Sequence, residues 1–203
     1  LLKLGWGHGD EEIISRDQAI AWFDVSDVGR SPARFDFKKL ENLNGHYMRE
    51  ADDARLTALT LPHLAKRMNR SLSDAEQALL LSAMPALKPR AKNLIELAEG
   101  ALFLFDTTPL AFEEKAKAAI DAAPAGLLAA LGETLAKLPE WTMESLDSAI
   151  RAEAEQRELG LGKLAQPLRA ALTGRAISPG IFDVLFLLGR DESLHRINGA
   201  LSA

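Results

Sequence analysis

Apolar positions recur along most of this chain at the three-to-four-residue interval of helices, and two stretches show it most clearly. At about 100° per residue, Phe37, Leu40, Leu43, Tyr47 and Met48 fall on one arc. Lys38, Lys39, Asn42, His46 and Arg49 fall on the opposite one. The first set predicts a face buried in a core, and the second offers cations and hydrogen-bonding groups. Further along, Leu161, Leu164, Leu168 and Leu172 stand opposite Lys163, Gln166, Arg169 and Thr173. Pro167 falls inside this second pattern. Because proline removes a helical hydrogen bond and kinks the helix, the helix is expected to begin near Gln166, with Lys163 in the approach loop.

Capping signals divide the rest into helices. Ser15 or Asp17 can cap a helix over 18–23, Asp36 opens the two-faced helix above, and Ser73-Asp74-Ala75-Glu76 is a capping box. Thr108-Pro109 and Ser178-Pro179 each place Pro at an expected first helical position, where its missing N–H costs nothing. Gly189 is a stop for a helix over 181–188, and Asp191 a start for the last one. Period-two alternation is weak and β-branched residues are sparse, so the expected class is all-α, a helical bundle, with at most a short strand or irregular turn near 24–35. The chain opens on Leu1-Leu2-Lys3-Leu4-Gly5-Trp6 in what reads as a helix. Trp6 and Trp22 sit on apolar faces and are expected in the core.

Composition narrows the chemistry. The 203 residues are enough for a sizeable core, and the absence of Cys excludes a disulfide framework and thiolate-bound zinc. No apolar run approaches the roughly 20 residues a spanning helix needs, so a membrane role is not expected and a cytoplasmic one is. A net charge of −5 argues against nucleic-acid binding until the charges are located. From 63 to 92 there are six Lys or Arg against two acids, and from 159 to 182 three cations and no acid. Residues 93–158 hold thirteen acids against five cations. Such segregation suits one face toward phosphates and another toward water, although charge runs by themselves are ordinarily solvated faces.

Candidate chemistry follows from these placements. Lys163, Gln166, Arg169 and Thr173 form a polar-basic face able to meet single-stranded RNA, or simply water. The Ser178-Pro179-Gly180-Ile181 turn opens a helix whose free N–H groups can receive a phosphate or a base carbonyl. Arg90, after Pro85 and Pro89, sits where a helix ends or bends, and an Arg there can make bidentate or stacking contacts with a base. His8, His46, His63 and His195 lack paired metal-ligand spacing, and no metal or nucleophile-base constellation is expected. Three tryptophans and one tyrosine are few platforms for a stacking-type single-strand binder.

Leu4-Gly5-Trp6-Gly7-His8-Gly9-Asp10, the run from Ser31 to Arg49, Gln166–Gly174 and Ser178–Phe182 together resemble bacterial glutamyl-tRNA synthetase, in the family's order. The resemblance is strong over 1–50 and 162–190 and weak over 93–158. It implies the end of a stem-contact region over 1–55 and two helical anticodon-binding subdomains, 56–110 and 111–203, forming an α-helix cage. It also implies anticodon contacts from Arg169, Ser178, Pro179 and Ile181, a third-anticodon-base contact from Arg90, and tRNA backbone contacts from Lys38, Asn42, His46 and Arg49. The parent enzyme would activate glutamate with ATP and Mg²⁺ and charge tRNA(Glu). The His-x-Gly-His and Lys-x-Ser-Lys motifs of that enzyme class are absent from these residues, so the chain is expected to be a fragment that catalyses nothing alone and holds no cofactor. Its partner would be tRNA, not DNA, and it would act as a monomer. The alternative is a non-catalytic helical scaffold that keeps the shape without binding RNA.

Overall fold

The architecture comes from a computed structural model in which residues 5–29 and 34–202 are described. Leu1–Leu4 and the Ser31–Ala33 turn, both singled out from the sequence, lie outside the described residues. Ten α-helices follow in order among them: α1 Arg16–Trp22, α2 Phe37–Glu50, α3 Asp53–Met68, α4 Asp74–Leu87, α5 Leu94–Ala101, α6 Glu114–Asp121, α7 Leu127–Ala136, α8 Met143–Gln156, α9 Leu161–Thr173 and α10 Ile181–Leu201. Tight 3-10 turns occupy Val25–Asp27, Lys88–Arg90 and Leu102–Leu104. No strand is present among the described residues, and no helix there is long and apolar enough to cross a membrane.

The starts are those that side-chain capping predicts. Ser15 and Gln18 form a reciprocal capping box ahead of α1, Asp36 accepts from the N–H groups of Lys38 and Lys39, and Ser73 and Glu76 close the box of α4. Two proline starts are corrected. After Thr108-Pro109 the chain stays irregular until α6, and α10 begins at Ile181, two residues beyond Pro179, with Gly180 as its N-cap.

Helix α3 packs on α4 and α5, while α9 packs on α6 and α10, and α10 on α7 and α8. Contact between α10 and α4 joins these groups, and one continuous core runs from Met48 to Ala200. Leu164, Leu168 and Leu172 of α9 are completely buried, each contributing about 1.5–3 kcal/mol by removal from water. Pro167 is buried within α9 rather than at its start, so Lys163 is helical. The carbonyl a proline leaves unpaired four residues back belongs to exposed Lys163, where water can serve it.

The apolar arc of α2 behaves differently. Phe37 is 72 % exposed, and Leu40 and Tyr47 are about half exposed. Of that arc Met48 alone is buried, and it belongs to the face that docks, Glu41, Asn44, Gly45 and Met48, a helical stripe rotated to one edge of the expected arc. Asn44 Nδ2 donates to the Lys92 carbonyl, Lys92 Nζ reaches Glu41 at 3.4 Å, and Gly45 lets the Lys92 backbone approach. Polar bonds and a missing side chain, not the phenylalanine, decide which side of α2 faces inward. Trp6 is buried against His8 and Phe23 as expected, while Trp22 is only half-buried and stacks on His8, with ring centroids 4.4 Å apart.

Three features lock the C-terminal helices. Arg196, 3 % exposed, donates to the carbonyls of Phe103, Leu172 and Asp106 and to Glu192. Gly189 breaks α10 with φ 74° and ψ 173°, where the sequence places a stop and a restart. Gly174 ends α9 in the left-handed region at φ 68°, and its carbonyl accepts from the Glu113 N–H at 2.8 Å. Any Cβ at Gly174 would strike the Ala111 carbonyl oxygen.

Candidate nucleic-acid interface

Helix α4 ends at Leu87, two residues after an internal Pro85, and the chain tightens into the Lys88–Arg90 turn. Lys88 fixes that turn by donating to the Ala51 carbonyl at 3.1 Å and to Asp53 at 2.7 Å. Asn44 and Glu41 of α2 hold Lys92, two residues further on, from the other side. Arg90 is therefore carried on a braced turn with its side chain in solvent.

Across from it, α9 carries Arg169, whose Nε donates to Ser178 Oγ at 2.9 Å. Ser178 is buried and donates its own hydroxyl proton to the Pro179 carbonyl at 3.0 Å, so its oxygen aims the arginine. Burial first, and the Arg90 cation second, hold the Arg169 pKa below the ordinary guanidinium value. Neither arginine has an acidic partner among the described residues. The two like charges thus feel each other, and neither is ion-paired among the described residues, an arrangement that attracts anions.

Arg90 also forms part of the wall of a cleft of about 500 Å³ between α4 with its following turn and the first two turns of α10. Pro85, Pro89, Met143 and Leu187 give it apolar walls, exposed Phe186 stands at its rim, and Asp183 supplies a carboxylate. Apolar walls with a few polar groups are the usual make-up of a small-ligand pocket.

The residues predicted from the sequence divide accordingly. Arg90, Arg169 and Ser178 come together at one locality, beside Gly180 at the cleft and the α10 start. Lys163 and Gln166 are exposed on α9, about two turns and one turn before Arg169 respectively. Thr173 is corrected. It is 2 % exposed, and its hydroxyl donates back to the Arg169 carbonyl at 2.8 Å and accepts from the Arg175 N–H, so it cannot present itself to a ligand. The side chains of Ser178, Pro179 and Ile181 are also buried, leaving only backbone for contact there. Arg175, one of the cations of that basic run, is paired with Asp106 at 2.7 Å. Lys38, Asn42 and Arg49 are exposed on α2, while His46 is half-buried, with Nε2 3.2 Å from Glu50. Those four share a helix but do not line the cleft.

Sequence reasoning missed Asp183, Phe186 and Met143. Met143 opens α8 within the acidic segment that read as solubilising surface. The readable signal for Phe186 was its position off the arc of Ile181, Val184 and Leu185, which are buried. No group of three or more His, Asp or Glu residues is placed to hold a metal among the described residues.

Against known proteins, residues 55–201 match the family described as anticodon binding domain. The chain belongs to that family. It is 63 % identical over 202 residues to glutamate–tRNA ligase 2 of Zymomonas mobilis and 64 % identical to glutamate–tRNA ligase 1 of Sphingopyxis alaskensis. Those alignments take in 100 % and 98 % of this chain but 42 % and 41 % of the relatives. A crystal structure of a glutamate tRNA ligase from Elizabethkingia meningosepticum, in complex with its amino acid, superposes with a TM-score of 0.78 at 28 % identity. It covers 99 % of this chain and 39 % of the solved one. The chain thus spans about two-fifths of the length of the proteins it matches. The anticodon-binding fold expected from the sequence is the fold observed.

Proposed function

We propose that this chain is the tRNA-gripping part of a glutamate–tRNA ligase and receives the anticodon loop of tRNA(Glu) at the Arg90–Arg169 locality. The observation that carries this reading is the unneutralised arginine pair beside an apolar cleft, one member braced by Lys88 and the other aimed by Ser178. Cations supply attraction to phosphate, and a preset guanidinium supplies base-edge selectivity. Lys163 and Gln166 extend the contact along α9. Lys38, Asn42, His46 and Arg49 would touch backbone nearer the inner corner of the tRNA, from the stem-contact end over 1–55. The two helical subdomains, 56–110 and 111–203, would hold the anticodon arm between them. The full enzyme would work in the cytoplasm as a monomer, using ATP and Mg²⁺ bound outside these residues, and the chain alone would not catalyse ATP–pyrophosphate exchange.

The test is titration of a fluorescent anticodon stem-loop RNA at several salt concentrations. Arg169→Ala and Lys163→Ala should each weaken binding and flatten the log–log salt slope by about 0.7 for every phosphate no longer neutralised. Arg90→Ala should cost about 1–3 kcal/mol and relax preference at one anticodon base. Unchanged affinity and slope in Arg90→Ala and Arg169→Ala would overturn the reading.

A further inference from the structure

Helix α2 is fastened to the helical cage at one place. Among the described elements, the one it packs against most is the Lys88–Arg90 turn, the same turn that carries Arg90. The bonds across this joint come in two sets. On the near side of Arg90, Lys88 Nζ donates to the carbonyl of Ala51, the C-cap of α2, at 3.1 Å and pairs with Asp53 at 2.7 Å. On the far side, the Lys92 carbonyl accepts from Asn44 Nδ2, and Lys92 Nζ lies 3.4 Å from Glu41. Gly45 closes the gap, since a Cβ there would stand 3.7 Å from the Lys92 Cα. Little else secures the helix. Gly45 and Met48 are its buried residues, Phe37, Leu40 and Tyr47 reach solvent, and the Lys39–Glu12 pair at its start is exposed.

The stripe beside this docking face carries exposed Lys38, Asn42 and Arg49 with half-buried His46. From 38 to 49 it runs roughly 16 Å along the helix axis. Arg49 leans back over Gly45, so that its Nη1 would lie 3.3 Å from a Cβ on that glycine. Cations on α2 and a guanidinium on the turn are thereby held at a set separation, by bonds that none of those cations makes. Two contacts on one rigid body grip a single polymer as a bivalent event, because engaging the first presents the second at high effective concentration. A loosened joint spreads the second contact over many positions and lowers that concentration, although no contact is deleted.

We infer that Asn44 and Lys88 are positioning residues that lock the phosphate-facing stripe of α2 to the Arg90 turn, so that the backbone and the anticodon loop of one tRNA are gripped as a bivalent unit. The inference rests on the anticodon-loop reading above and adds to it the joint on which affinity for the whole tRNA depends.

The deciding quantity is a ratio: affinity for a tRNA(Glu) transcript over affinity for its anticodon stem-loop alone, titrated at several salt concentrations. The stem-loop meets the Arg90–Arg169 locality but lacks the backbone that α2 would face, so the ratio reports the second contact. For the wild-type chain it should reach about a hundredfold. Asn44→Ala combined with Lys88→Met should lower the ratio about tenfold, with the salt slope of the transcript falling toward that of the stem-loop. Lys88→Arg, which keeps a cation and its donors, should retain most of the ratio. A merely structural joint predicts a different result, lower stability in urea with both affinities reduced by the same factor. Equal binding of transcript and stem-loop by the wild-type chain, or an unchanged ratio in a double variant that circular dichroism shows to be folded, overturns the inference. Should the double variant not fold, Asn44→Ala alone decides by the same ratio, since Asn44 is exposed and its truncation removes one bond across the joint. Loss of stem-loop binding in Arg90→Ala alongside an unchanged ratio leaves the anticodon-loop reading standing. Undiminished stem-loop binding in both Arg90→Ala and Arg169→Ala removes the reading and the inference together.

Discussion

Helices α2 and α9 carry equally clear two-faced patterns, yet only α9 buries the apolar side. In α9 the leucines at 164, 168 and 172 have no exposure, because α6 and α10 both pack on that helix. In α2 Phe37 and Leu40 of the matching arc stay largely in solvent, and a stripe with one glutamate, one asparagine, one glycine and one methionine faces inward, its polar members against the Lys92 segment. An amphipathic pattern therefore announces a face that ought to be covered without naming what covers it. Where no element comes to meet that face, the direction of docking passes to whichever residues can bond or approach most closely.

The contrast can be tested by paired truncations, starting with the deepest site. Leu168→Ala should cost about 2–5 kcal/mol in urea unfolding, through reduced burial and the cavity left between α9 and its partners. A cost below about 1 kcal/mol would mean that α9 is not held as described. Thr173→Ala should cost about 1–2 kcal/mol, since the Arg175 N–H would lose its acceptor. Its RNA affinity should stay at the wild-type value; a selective loss of binding with stability intact would restore Thr173 to the interface. Leu40→Ala should change stability by less than about 0.5 kcal/mol, as expected for a side chain on an uncovered face. A loss of about 2 kcal/mol there would show that the α2 arc is covered in solution, and the contrast with α9 would collapse.

Much of the fold was legible because its signals are local. Ser15, Asp36 and the Ser73–Glu76 pair each satisfy backbone donors within one turn, so sequence spacing suffices to find them. The left-handed glycine at 189 is local too. The two proline starts misled because proline is tolerated in irregular segments as readily as at a first helical turn. The placement of Thr173 misled for a different reason: a threonine on the polar side of a helix can return its hydroxyl to the carbonyl four residues back and be sealed there.

The candidate site was legible in part. Arg90, Arg169 and Ser178 stood out by residue type and neighbouring prolines, and the fold brings them within reach of one another. Asp183, Phe186 and Met143 could not be read, since each becomes a cleft residue only when α8 and α10 converge on the end of α4. That convergence is a long-range event, and no spacing within a single helix encodes it.

Gly174 lies outside the cleft, yet it governs the cleft's aim. A methyl group at that position would collide with the Ala111 carbonyl, forcing either that strap or the loop leading to Ser178 to retreat. A displaced loop would carry away the hydroxyl against which Arg169 rests. The bearing of a charged group at the surface is thus set five residues away by one hydrogen atom in place of a carbon.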